Sequence, residues 1–250
     1  MTVAERTLPA IVVVAFILAW EALVRMRGIA PIYLPAPSAI AGYLWRMIAD
    51  GSLPMHLGIT LARVLGGFAI AAVAGVGLGV LMGMSRLVAR IADPWIAALY
   101  PLPKIALIPL LLTWLGTGES YKIVISAVTA FFPIVISAYA GIREVDRGLM
   151  KAAEDLGASP RQVQLKVVLP AAVPSIFAGL HLGMGVTIIL VIAEMIGGSS
   201  TSGMGYLLMQ AGQVMETEKV FADLVVLAVV GALIVKLQRW IDRKVAPWAH

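Results

Sequence analysis

Six long runs of apolar residues punctuate this chain, and each faces the same constraint. Inside a hydrocarbon layer a backbone N–H or C=O finds no water, so only helices and closed barrels satisfy it there. The runs are Leu8 to Val24, Leu57 to Met84, Pro94 to Leu115, Ile123 to Gly141, Ser175 to Gly197 and Val220 to Val235. A helix rises about 1.5 Å per residue and a bilayer core is about 30 Å thick, so runs of this order read as membrane helices. Composition agrees: 60% of the 250 residues are hydrophobic and 13% charged, where a water-soluble domain carries about a quarter charged residues. The expected fold is an all-α polytopic transmembrane helical bundle of six spans, with residues 1–250 forming one transmembrane domain. The first run is long for the apolar core of a cleaved signal peptide and lacks a clear A-x-A site, so it reads as a span.

Between these runs the sequence carries several local signals. Leu34-Pro35-Ala36-Pro37 is extended, and Ser38 then opens a short amphipathic helix with Trp45 and Arg46, expected at the outer surface. In the second run Ala71, Gly75, Gly79 and Gly83 recur every four residues, a smooth face for close helix packing. These glycines lie inside an apolar helix rather than between a strand and a helix, so they are no nucleotide fingerprint. In the third run Pro101, Pro103 and Pro109 each remove a backbone donor, so the span must be broken or kinked. Such backbone survives at membrane depth only where protein or a water-filled cavity covers it. Lys104, Pro103 and Pro109 are therefore candidates for a translocation pathway, with Pro133 expected to kink the fourth span. In the fifth, Gly179 and Gly183 repeat the packing spacing. Glu194 lies roughly 29 Å above Ser175 along a helix, near the outer interface, where it reads either as a solvated helix-end carboxylate or as a pathway group.

Six spans would put both termini on one side, together with the loops after the second and fourth spans. That side holds Arg6, Arg86, Arg90, Arg143, Arg147, Lys151, Arg161, Lys166, Lys236, Arg239, Arg243 and Lys244, the majority of the 19 basic residues. Basic residues collect on the cytoplasmic side. Both termini and Ala153 are thus expected in the cytoplasm, with Trp45 and Ser200 outside.

The segment from Leu149 to Pro170, LMKAAEDLGASPRQVQLKVVLP, is the long polar stretch with helix signals of its own. Leu149, Ala152, Ala153 and Leu156 share helical spacing, and Gly157 follows where a left-handed cap would sit. Ser159, Pro160 and Gln162 then form the capping-box signature of a second helix. The spacing Ala152-Ala153, Gly157, Val167, Leu169-Pro170 resembles the loop named for Glu-Ala-Ala in the membrane subunits of ATP-binding-cassette (ABC) importers. Lys151 stands where that family most often has Glu. The runs PLPKIALIPLLLTWLGTGE from Pro101 and AEMIGGSSTSGMGYL from Ala193 look like the branch that includes importers of sulfonates, taurine and nitrate.

The resemblance implies a type I ABC importer permease, with a cytoplasmic coupling loop at about 142–170 that docks on an ATPase. Its residues would be Lys151, Ala152, Ala153, Glu154, Leu156, Gly157, Ser159, Leu169 and Pro170. It also implies a homodimer of permeases, a separate cytoplasmic ATPase, an external solute-binding protein, and a small, anionic solute crossing the inner membrane of a bacterium or archaeon. No GxxxxGK[ST] occurs in the chain, so ATP binding and hydrolysis are expected on another polypeptide, with no cofactor here. The absence of Cys excludes thiol chemistry and Cys-based metal sites. The three His show no ligand spacing and the acidic residues no paired-carboxylate pattern, so this is not expected to be an enzyme. Basic residues are scattered rather than gathered in a stripe, which argues against nucleic acid despite the net charge of +5. A self-sufficient secondary transporter is the alternative, but neither an internal repeat nor a buried acidic pair is evident.

Overall fold

The computed structural model describes residues 3–187, 194–195 and 201–245, and the described elements are helical. In order they are α1 (Val3–Arg27), α2 (Pro37–Ala49), α3 (Ser52–Met84), α4 (Arg86–Leu99), a 3₁₀ turn (Lys104–Leu107), α5 (Ile108–Leu115), α6 (Glu119–Arg143), α7 (Arg147–Asp155), α8 (Pro160–Val163), a π-helical turn (Gln164–Val168), α9 (Leu169–Val186), α10 (Met204–Gln213) and α11 (Thr217–Val245). Among the described residues four helices are long and apolar enough to cross a membrane: Ser52–Met84, Glu119–Arg143, Pro160–Val186 and Thr217–Lys244. The pair α4 and α5 adds a fifth if its two arms, bent by 93°, make one broken span. Among the described residues the expected count of six is therefore not reached. α1 is not among these spans, and the fifth sequence run is described as helix only to Val186 and again at Glu194 and Met195, so its far end lies outside the described residues.

The chain folds as two compact units. The first comprises Met1–Ile59 and Thr201–Val230. Its core gathers Met47, Leu53, Met204 and Leu207 from α2, the start of α3, and α10. α2 begins at Pro37, and its first turn is held from outside the helix: the Glu21 carboxylate of α1 accepts from the Ser38 backbone N–H at 2.9 Å and its hydroxyl at 2.8 Å. An anion at a helix N-terminus meets unpaired N–H groups and the positive end of the dipole. The helix expected after the Leu34-Pro35-Ala36-Pro37 run is thus present and amphipathic, with Met47 buried and Trp45 exposed.

The second unit comprises Thr60–Ser200 and Gly231–His250, and α6 is its centre. Tyr121, Ile125, Ala130, Ile134, Val135 and Ala138 of α6 are buried. The helix continues through Pro133 without a break in its helical assignment. α3 lies along one side. A Cβ on Gly75 would come within 2.9 Å of Ile134, one on Gly79 within 2.6 Å of Ala138, and one on Gly83 within 2.4 Å of Ile142. The partners step by four as the glycines do, so α3 and α6 run parallel. α9 lies along another side and runs antiparallel: Gly179 meets Ser137 and Gly183 meets Ile134. Close backbone approach through small residues is how helices gain packing energy where lipid supplies no hydrophobic contrast.

Candidate functional site

At the far end of α6 the chain makes a helical hairpin. Asp146 caps α7 by accepting from the Gly148 N–H at 2.7 Å. α7 ends in a left-handed turn at Gly157, φ +87°, with the Gly157 N–H bonded to the Glu154 carbonyl at 2.8 Å and the Ala158 N–H to the Ala153 carbonyl at 3.0 Å. These two bonds are the pair that defines a Schellman cap. The capping box then starts α8: Ser159 N–H donates to Gln162 Oε1 at 2.8 Å, and Gln162 N–H donates to Ser159 Oγ at 3.4 Å.

The two faces of α7 differ. Met150, Ala153 and Ala158 pack inward on Val145, Val163 and Val168. Leu149 and Leu156 point to solvent, the latter 89% exposed, with Ala152, Lys151 and Glu154 also exposed. Ala153 stands at the inner edge of the arc of about 100° that it shares with Leu149, Ala152 and Leu156, half-buried against the cluster while those three are exposed. Leu169 and Pro170 open α9 behind the hairpin.

The broken span has its own chemistry. The α4 helix ends at Leu99, Pro103 precedes the 3₁₀ turn and Pro109 stands in the first turn of α5. The Lys104 ammonium donates to the carbonyls of Leu99 (3.1 Å), Tyr100 and Leu102 (2.9 Å) and lies 4.5 Å from the Phe132 ring centroid. An ammonium has three donors, and three carbonyls use them. Lys104 thus satisfies backbone that the break leaves open, rather than presenting a free cation to a solute. Lys104→Met is expected to lower the stability of the purified chain by about 1 kcal/mol, read by thermal unfolding in detergent, with Lys104→Arg closer to the parent.

Near the opposite end of α6 lies a charge cluster that sequence reading missed. Arg63 of α3, 3% exposed, donates through Nη1 to Glu194 Oε1 at 2.6 Å and through Nη2 to Glu119 Oε1 at 2.7 Å, with Nε bonded to the second Glu119 oxygen. Thr60, one turn earlier, donates to both Glu194 oxygens at 3.1 and 2.8 Å. Lys122, buried one turn after Glu119, comes within 3.3 Å of Glu119 Oε1. Glu194 is fully buried, and Glu119 is 58% exposed. Glu194, one of the sequence candidates, is therefore an ion-pair partner and not a solvated helix-end group. The missed signal was available: Arg63 is an ionisable residue inside an apolar run.

A multi-pass helical membrane protein with a broken span, a capped polar hairpin and a buried charge network is built like a transport conduit. Residues 73–247 match the family described as binding-protein-dependent transport system inner membrane component, and the chain belongs to that family. It is 36% identical over 244 residues to the putative aliphatic sulfonates transport permease protein SsuC of Bacillus subtilis (strain 168), covering 97% of this chain and 86% of that one. It is 34% identical to the taurine transport system permease protein TauC of Escherichia coli (strain K12), covering 92% and 85%. Among solved structures it shares the fold of an inward-facing MetNI methionine ABC transporter chain, with a TM-score of 0.64, 23% identity and coverage of 74% and 92%. The chain is thus the permease subunit of an ABC transporter and not itself an enzyme. Family membership decides against the secondary-transporter alternative.

Proposed function

We propose that this chain forms the translocation pathway for a small anionic solute, a sulfonate being the first choice, as one half of a permease homodimer. A separate ATPase consumes the ATP and docks on the 149–170 hairpin, and an external solute-binding protein delivers the solute. Both termini lie in the cytoplasm. Two relatives named for sulfonates and taurine support the solute class. The observation that carries the docking reading is the exposed row of Leu149, Ala152 and Leu156 on a hairpin rigidified by a Schellman cap and a capping box. Two exposed leucines with a small alanine between them, on one face of a polar hairpin, suit contact with a partner.

In the mechanism this implies, closure of the ATPases shifts the docked α7. The Met150 and Ala153 contacts pass that shift to α6 and α9, and the helix interface exchanges inward-open for outward-open states. Leu156→Glu is expected to leave membrane insertion intact and to cost at least about tenfold in ATPase affinity, since it buries a charge at the contact. Co-purification of the ATPase and solute-stimulated ATP hydrolysis, measured on one preparation, check this. A variant that holds its ATPase and couples normally would show that the row is not the docking face.

A further inference from the structure

The charge cluster has more donors than its outer carboxylate can use singly. Glu119 offers two oxygens to three buried donor positions: Arg63 Nε, Arg63 Nη2 and Lys122 Nζ. Its Oε1 takes two of them, and the Lys122 contact at 3.3 Å is the long one. Arg63 and Lys122 are both buried, whereas Glu119, which both of them contact, is 58% exposed. Of the four groups, Arg63, Lys122 and the buried Glu194 together carry one positive charge, which Glu119 neutralises.

We propose that Arg63 and Lys122 are the site for the acid group of the transported solute, with Glu119 a resident carboxylate that a monoanion bearing three terminal oxygens displaces. A sulfonate meets each requirement. It supplies one oxygen per donor, it is a monoanion at any physiological pH, and it restores the neutrality that Glu119 gives up when it turns to water. The guanidinium edge that holds Glu119 in two parallel bonds suits any planar pair of acid oxygens. Glu194 and Thr60 hold the other edge of Arg63 and so fix its plane. The site lies at the end of α6 away from the hairpin: 24 residues separate Glu119 from Arg143, about 36 Å of helix. An acid group seated there would sit at the mouth opposite the ATPases, where solute enters an importer. This inference rests on the reading of the chain as a conduit for a small anion.

The test uses the permease assembled with its ATPase in lipid nanodiscs and ethanesulfonate as the probe, with binding read by calorimetry. Glu119→Gln removes the competing charge without opening a cavity and keeps an amide oxygen beside Arg63 and Lys122, and thermal unfolding of the same preparation checks that the fold is retained. It is expected to bind ethanesulfonate about tenfold more tightly than the parent, because a like charge within about 4 Å of the bound acid is gone. Lys122→Met is expected to bind it about tenfold more weakly. A merely structural role for the cluster would weaken binding in both variants or change neither. If the parent binds ethanesulfonate and Glu119→Gln binds it no more tightly, the site assignment is overturned while the anion reading stands. If neither parent nor Glu119→Gln binds ethanesulfonate, the site assignment is overturned, and if the complex then hydrolyses ATP in response to a neutral or cationic solute, the anion reading falls with it.

Discussion

Arg63→Met is expected to destabilise the chain by about 3–5 kcal/mol, the cost of leaving a buried charge without its partner. Glu194 is fully buried and receives Arg63 Nη1 at 2.6 Å. With the guanidinium gone, the buried carboxylate keeps the Thr60 hydroxyl but loses the cation that faces its charge. Glu119 suffers less, because its exposed carboxylate can turn to water. The loss should therefore come mainly through Glu194, and the double variant Arg63→Met/Glu194→Met should recover part of it, since a buried ion pair replaced by apolar residues of similar volume is often neutral. Thermal unfolding in detergent measures both. A double variant no more stable than Arg63→Met would mean that the damage comes from lost packing around α3.

Gly79→Leu should be as severe for a different reason. A Cβ at Gly79 would stand 2.6 Å from the Ala138 Cβ and 2.7 Å from the Val135 carbonyl oxygen. Neither neighbour is the flexible end of a long side chain, so α3 and α6 must part, and α6 is already clasped by α9 through Gly179 and Gly183. Overpacking of this kind costs about 1–3 kcal/mol where the surroundings yield and more where they cannot. Gly77, on another face of the same helix, would meet nothing within 4 Å. Gly77→Leu is thus the internal control, expected to assemble like the parent when yield and size-exclusion profile are compared.

The parts of this molecule that could be read from sequence are those set by neighbours along the chain. The hairpin declared itself because caps are local: Gly157 for the left-handed turn, then Ser159, Pro160 and Gln162 within four positions. The break in the third apolar run was legible because each proline acts on its own turn, and the glycine spacing showed that α3 had a smooth face. Its partner could not be read, since nothing local ties Gly79 to Ala138. The charge cluster was hidden for the same reason. Arg63 meets Glu119 across 56 positions and Glu194 across 131. Only their oddity as charges in apolar surroundings was visible, and only Glu194 was singled out. The bonds of Lys104 to the backbone two to five residues before it were not foreseen, because they depend on how the chain turns at the break.

The π-helical turn at Gln164–Val168 sets an angle as well as a path. Val163 and Val168 are both buried in one cluster with Ala172 and Ile176. In an unbroken α-helix Val163 and Val168, five positions apart, would point about 140° away from each other, and Val163 would oppose Ala172 almost diametrically. A π turn aligns residues five apart, so one added residue brings the hairpin and the membrane helix into phase. The hairpin and α9 are geared together by that single residue. A chain lacking it would still read as helix throughout, yet would turn either Val163 or the Gly179 and Gly183 face away from α6.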